Sequence, residues 1–350
     1  MPPELPEGME EGATPPELPE GMEEGATPPE LPEGAERGMP PEGGKKNGRF
    51  TLLEFKNFCP YRVSLDDFRE ARTHFDVEEW MGILLGAIDY NPDGFARKGW
   101  IERDIWKAKH TMLTRLLPFV QPRVNLIELA PQQTGKSYMF GKISKYGWLL
   151  TGRQVSRTML FIDRRPGARA KGLVTCNDFI AVDEIKSIEF ANDKEMAGIL
   201  KGYMEDGYVT VGGTRIDGEA GIVFLGNIAY ENMDSDKDMI GDVNPIFRDS
   251  ALLQRIHGFI PGQFVPALSP GMFINDWALN SEYFTEIMHL LRSTPETMKY
   301  RGMVEELVEV KSASGETSGR EKEAVYRLCT AYLKLFFPHA DSTLIRTQKF

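Results

Sequence analysis

Ala130-Pro-Gln-Gln-Thr-Gly-Lys-Ser137 directly follows the mostly apolar run Val124–Leu129. It fits the phosphate-binding loop pattern of Gly or Ala, four residues, Gly-Lys, then Ser or Thr. In such a loop a buried strand ends, the backbone amides turn inward, and a helix starting near Gly135 points its N-terminus at bound phosphates. Ala130, Gln133, Thr134 and Gly135 would form the cradle, Lys136 would reach the β- and γ-phosphates, and the Ser137 hydroxyl would ligate Mg²⁺. Further along, Phe179-Ile-Ala-Val-Asp-Glu184 is an apolar run closed by two carboxylates. Asp183 would hold the Mg²⁺ shell and Glu184 would polarise an attacking water as general base. A third apolar run, Gly221-Ile-Val-Phe-Leu-Gly-Asn227, ends in an amide. In ring-forming ATPases an Asn at that place orients the same water. The competing reading is three buried parallel strands that end in polar residues for no chemical reason. The order of loop, acidic pair and terminal Asn argues for ATP and Mg²⁺.

The elements that must position these groups follow from periodicity. Ser64-Leu-Asp-Asp-Phe and Asp76-Val-Glu-Glu-Trp each place a capping residue before helical spacing, and a third helix is expected over about 101–117, halted by Pro118. Strands alternate with helices from about 123 to 265, which predicts a parallel sheet covered on both faces. Beyond it, Asp276–Leu291 and Arg320–Phe337 carry apolar residues at i, i+3, i+4 and i+7. The expected fold class is therefore α/β: an AAA+ P-loop NTPase core, its parallel sheet flanked by helices, plus a C-terminal helical lid. The expected domains are a disordered acidic repeat over 1–49, a helical region leading into the nucleotide domain over 50–122, the ATPase core over 123–265, and the lid over 266–350.

Charge and composition narrow the class. The formal net charge of the 350 residues is −11, of which −8 falls in residues 1–49 and −3 in the remainder. Any nucleic-acid site must then be a local basic patch, not a global field. Residues 2–14 recur unchanged at 15–27 and begin again at 28, and this Pro/Glu/Gly repeat has almost nothing apolar to bury. Three cysteines, Cys59, Cys176 and Cys329, are widely separated, which argues against a zinc site or a disulfide framework. With no long apolar run and an acidic N-terminus, the expectation is a cytoplasmic protein with no membrane partner.

With those residues in place the sequence resembles the Lon-related proteins of the BREX phage-defence system. The similarity runs from about Phe50 to Phe350 through Asn125–Ser137, Gly141–Gly147, Ala251-Leu-Leu-Gln-Arg-Ile-His-Gly258 and Cys329-Thr-Ala-Tyr-Leu-Lys-Leu335. The resemblance implies an AAA+ ring ATPase, related to minichromosome-maintenance helicases, that self-assembles into a hexamer-like ring and acts on DNA, with other phage-defence proteins as further partners. It also implies roles for residues. Arg255 would be an arginine finger offered to the neighbouring subunit. Arg320, opening a lid helix, would be the second sensor Arg, although a cation at a helix start is mildly unfavourable by itself. Residues 207–221 read as a hairpin around Gly212-Gly213. In the helicase relatives such a hairpin enters the pore, so Arg215 near its tip would meet DNA phosphates. Arg153, Arg157, Arg164, Arg165 and Arg169, with Lys171, form the densest basic run and fall where those relatives carry a pore-lining insert. A plain surface hairpin and a solvated basic face compete with these two readings.

This sequence also departs from the family pattern. Members usually carry Gly where Ala130 and Gln133 stand, and Gln133 occupies a place where Gly permits positive φ. A non-hydrolysing nucleotide-binding scaffold is one alternative that follows. The family also places a DNA-binding domain before this module and a Lon-like protease domain after it. An ATP-dependent protease whose proteolytic domain lies outside this chain is the other alternative, and protease chemistry is not expected from this chain alone.

Overall fold

The structure is a computed structural model. It describes residues 62–341 apart from 98, 153, 162–170, 191, 212, 230–238, 242, 295, 296, 313, 314 and 316. The acidic repeat and the basic-run residues Arg153, Arg164, Arg165 and Arg169 lie outside the described residues.

Four helices precede the sheet: α1 (Leu65–Arg72), α2 (Val77–Gly86), α3 (Glu102–Thr114) and α4 (Leu117–Val120). The first two start where their caps dictate. Ser64 Oγ accepts from the Asp67 amide, and Asp76 forms a reciprocal capping box with Glu79. Pro118 does not simply halt α3. It occupies the first turn of α4, where its missing N–H costs nothing. The chain then runs through β1 (Leu126–Ala130), α5 (Lys136–Lys142), β2 (Gly147–Leu150), β3 (Gln154–Val155), α6 (Arg157–Leu160), β4 (Phe179–Val182), β5 (Glu189–Phe190) and α7 (Asp193–Asp206). It continues through β6 (Tyr208–Val211), β7 (Thr214–Asp217), β8 (Gly221–Asn227), α8 (Ser250–Leu253) and β9 (Gly258–Pro261). The last helices are α9 (Ser281–Ser293), α10 (Lys299–Leu307) and α11 (Gly319–Phe336). α9 begins later than apolar spacing alone suggested, because Asn280 caps the Tyr283 amide there.

Five strands form one parallel sheet in the order β2-β4-β8-β1-β9. This is an α/β P-loop ATPase core. The order decides the site, because β8 lies between the phosphate-loop strand and the acidic strand. Its register sets Asn227 opposite Ala130 and Phe224 opposite Val182. Strand residues alternate between two cores. Phe179, Ala181, Val223 and Leu225 face one, and Ile180, Val182, Ile222 and Phe224 face the other.

The first core is shared by three parts of the chain. Trp80, Leu84 and Met112 of the leading helices, Leu126 and Phe179 of the sheet, and Phe284, Ile287, Leu291 and Leu335 of the C-terminal helices pack together. Two buried cations tie the same parts. Arg292 donates to the carbonyls of Pro118, Gln121 (2.9 Å) and Glu219, and Lys334 Nζ to those of Arg292 (3.1 Å) and Val120 (3.4 Å). They occupy the carbonyls at the end of α4 that have no intrahelical partner. Burial, with Arg292 close by, pushes the Lys334 ammonium down to about 7.

Candidate active site

β1 delivers the loop and α5 carries it away. Gly135 stands at the start of α5 with φ 75°, and a Cβ there would lie 2.4 Å from the Tyr90 hydroxyl. Both the backbone angle and the close approach exclude a side chain. Gln133 has φ 63°, the left-handed conformation that the sequence pattern flagged, held by the Leu268 amide donating to the Gln133 carbonyl at 2.8 Å. Lys136 folds back over its own loop. Its Nζ donates to the carbonyls of Pro131 (2.8 Å) and Ala130 (3.1 Å) and lies 3.4 Å from Thr134 Oγ1. Burial pushes this ammonium down to about 8 despite the Glu128 carboxylate nearby.

The acidic strand meets the loop directly. Ser137 Oγ donates to Asp183 Oδ2 at 2.7 Å, and Asp183 Oδ1 accepts the Glu184 amide at 2.8 Å. Glu184 turns away from the strand with φ 55°. A cavity of 290 Å³ is lined by Gln133, Thr134, Gly135, Lys136, Ser137, Asp183 and Asn227, with Tyr138 and Leu268 at its wall. Ala130 lies buried beneath it and contributes its carbonyl. Glu184 is exposed beside the cavity and is not part of its lining. These groups fit a magnesium-bound triphosphate. The Lys136 ammonium is satisfied only by loop oxygens that a phosphate can replace, and Ser137 and Asp183 supply adjacent hard oxygen ligands.

A buried pair that the sequence reading did not single out holds the loop from beneath. Arg115 and Glu128 are both 0% exposed, with Nε to Oε2 at 3.0 Å and Nη2 to Oε1 at 2.5 Å. Arg115 Nη1 donates to the Thr134 carbonyl at 2.9 Å and to Met112 Sδ at 3.0 Å. The signal was present: Glu128 is a carboxylate in the middle of a five-residue strand that is buried throughout. A charge there requires a partner.

Arg255 and Arg320 sit at the opposite end of the sheet's strands. Asn125, just before β1, donates its amide to the Arg255 carbonyl at 3.2 Å and accepts the His257 amide at 2.8 Å. Arg255 thus stands at the start of β9, a strand length from the loop at the end of β1. Both arginines pair with Glu205 of α7. Arg320 does so through contacts of 3.0–3.2 Å, and it reaches Gln254 Oε1 at 3.2 Å. That acid offsets the cost of a cation in the first turn of α11.

The hairpin forms as expected, β6 pairing with β7 across Gly213, whose φ is 80°. Arg215, 62% exposed, lies over the Tyr208 ring at 3.9 Å and pairs with Asp217 at 2.8 Å. Arg157 pairs with Glu195 at 2.6 Å across exposed surface. Among the described residues no helix is long and apolar enough to cross a membrane.

The profile of a sequence family described as "Lon-like protease BrxL-like, ATPase domain" matches residues 50–349. The chain belongs to this family. Two curated relatives carry the name Lon-like protease BrxL. The one from Escherichia coli O9:H4 (strain HS) is 29% identical over 299 residues, covering 85% of this chain and 40% of the relative. The one from Bacillus cereus (strain H3081.97) is 27% identical over 308 residues, covering 86% and 42%. The chain thus spans about two fifths of the length of these BrxL relatives.

Proposed function

We propose that this chain is an ATP-hydrolysing AAA+ core that works as a ring and acts on DNA in phage defence. The observation that carries the reading is the 2.7 Å contact between Ser137 and Asp183, which joins the phosphate loop to the acidic strand on one cavity. Lys136 exchanges its loop carbonyls for the β- and γ-phosphates. Ser137 and Asp183 would hold Mg²⁺, which would neutralise charge at the phosphates. Asn227 orients the attacking water and Glu184, turned out beside the cavity, accepts its proton. Arg255 and Arg320, gathered on Glu205 a strand length from their own loop, serve a neighbouring subunit's nucleotide together. Such a site is complete only in a ring. Arg215 and the basic run contact DNA phosphates without reading sequence.

The test is ATP turnover by the full chain with and without duplex DNA. Lys136→Ala abolishes turnover. Glu184→Gln keeps nucleotide binding and lowers hydrolysis by roughly two to four orders of magnitude. Wild-type-like hydrolysis by Lys136→Ala refutes the loop assignment, and binding without turnover in the unmodified chain marks a scaffold. Arg215→Ala lowers the salt slope of DNA binding by about one unit with basal ATPase intact. An unchanged slope removes DNA from this hairpin.

A further inference from the structure

The loop cavity has a neighbour that the phosphate chemistry does not use. Tyr138, in the wall of the loop cavity, donates its hydroxyl to Asp89. Asp89 in turn lines a second cavity, of 570 Å³, bounded by Asn275, Asp276, Trp277 and Asn280. The chain segment that builds this second cavity is anchored to the first. The Leu268 amide donates to the Gln133 carbonyl at 2.8 Å, Phe273 bridges to Tyr90, and the Ile274 amide donates to the Asp89 carbonyl at 3.0 Å. Asp89 itself is held at φ 67°, a left-handed conformation uncommon for a residue with a side chain. At the end of this segment the indole of Trp277 is 97% exposed.

We propose that the second cavity is the base subsite of the nucleotide whose phosphates occupy the loop, with Trp277 stacking on the adenine ring. The inference rests on the ATPase reading above and adds to it the residues that hold the base. Three features favour a base over other occupants. The Tyr138–Asp89 hydrogen bond joins a wall residue of one cavity to a wall residue of the other, so a ligand anchored by phosphates in the first has the second beside it. The rim offers carboxylates and side-chain amides, which suit the N–H edge of a planar heterocycle and repel a nucleic-acid backbone. An indole left wholly in water gains the most from covering one face with an aromatic ring. Asp89, paired with Tyr138 through one oxygen, keeps the other for the exocyclic amine.

The experiment compares ATP with inorganic tripolyphosphate, both with Mg²⁺, by titration calorimetry on the full chain. Trp277→Ala should weaken ATP binding roughly 5- to 150-fold, the range for losing one base–aromatic stack. It should leave tripolyphosphate affinity unchanged, and Trp277→Phe should keep most of the ATP affinity. Because the side chain is exposed, the substitutions leave the core intact. Unchanged ATP affinity in Trp277→Ala overturns the subsite while the loop assignment stands. Equal weakening of both ligands also overturns it, since the effect then lies in the loop. A wild-type chain that binds neither ligand refutes the ATPase reading itself, and the subsite falls with it.

Discussion

Removing one member of the Arg115–Glu128 pair should cost more than removing both. Neither side chain touches solvent, and each charge has the other as its main counter-charge. Arg115→Met leaves the Glu128 carboxylate buried and unpaired, and Glu128→Gln leaves the guanidinium in the same position. Each should lose about 3–5 kcal/mol of unfolding free energy. The double variant Arg115→Met/Glu128→Leu replaces two charges with apolar groups of similar bulk. What it fails to restore is the donor to the Thr134 carbonyl at 2.9 Å, a loss of about 1–3 kcal/mol. It should therefore be more stable than either single variant, as read from urea midpoints with unchanged slopes. Nucleotide affinity separates the two roles of Arg115. Glu128→Gln should retain it at temperatures where the variant is folded, whereas both variants lacking Arg115 should lose it because Thr134 is no longer pinned. A double variant as unstable as the sum of the singles would refute the account of a coupled pair. Normal nucleotide affinity without Arg115 would refute the pinning of the loop.

Three further outcomes follow from the same geometry. Gln133→Gly should tighten ATP binding up to about fivefold, because glycine relieves about 1 kcal/mol of left-handed strain. Gln133→Val should weaken it, and equal affinities in the two variants would show that φ at this position is immaterial. His257 accepts the Asn125 amide on Nδ1 and is pushed down to about 3 by burial, with Arg327 adding to the effect. The unfolded chain takes up a proton near pH 6.5 that the folded chain refuses, so stability present above pH 6.5 is lost as pH falls towards 3. At pH 5 the loss should be about 2 kcal/mol, and a denaturation series with His257→Asn should lack this slope. Arg255→Ala should leave nucleotide affinity intact and abolish hydrolysis only in assembled protein, as measured by turnover against protein concentration. Loss of binding instead would place Arg255 in a structural role through Glu205.

How much of the site was legible depended on how far its chemistry extends along the chain. The phosphate loop is a local object: eight consecutive residues set the turn, the lysine and the hydroxyl, so spacing alone located them. The same holds for the capped starts of α1 and α2, where a side chain bonds an amide three residues on. The two acids and Asn227 were legible because each ends an apolar run, where a buried strand can turn a polar group towards a cleft without needing a buried partner as Glu128 does. The positive φ of Gln133 was visible as the absence of the glycine that the family pattern carries.

What the sequence could not reveal are the contacts between distant segments. Arg115 and Glu128 are a helix and a strand apart, and only the fold closes them into a dry pair beneath Thr134. Arg255, Arg320 and Glu205 come together from three separate elements, β9's leading turn, α11 and α7, which no spacing encodes. The leading helices and the lid read as separate amphipathic segments along the chain. The tertiary structure merges them into one core with Phe179, because each helix has a single apolar stripe and none can bury it alone. Sequence therefore determined which groups could do the chemistry, through bonds formed within a few residues. The folded chain decided which charges are neutralised and at which end of the sheet each cation lies, because burial and pairing arise only where distant segments pack.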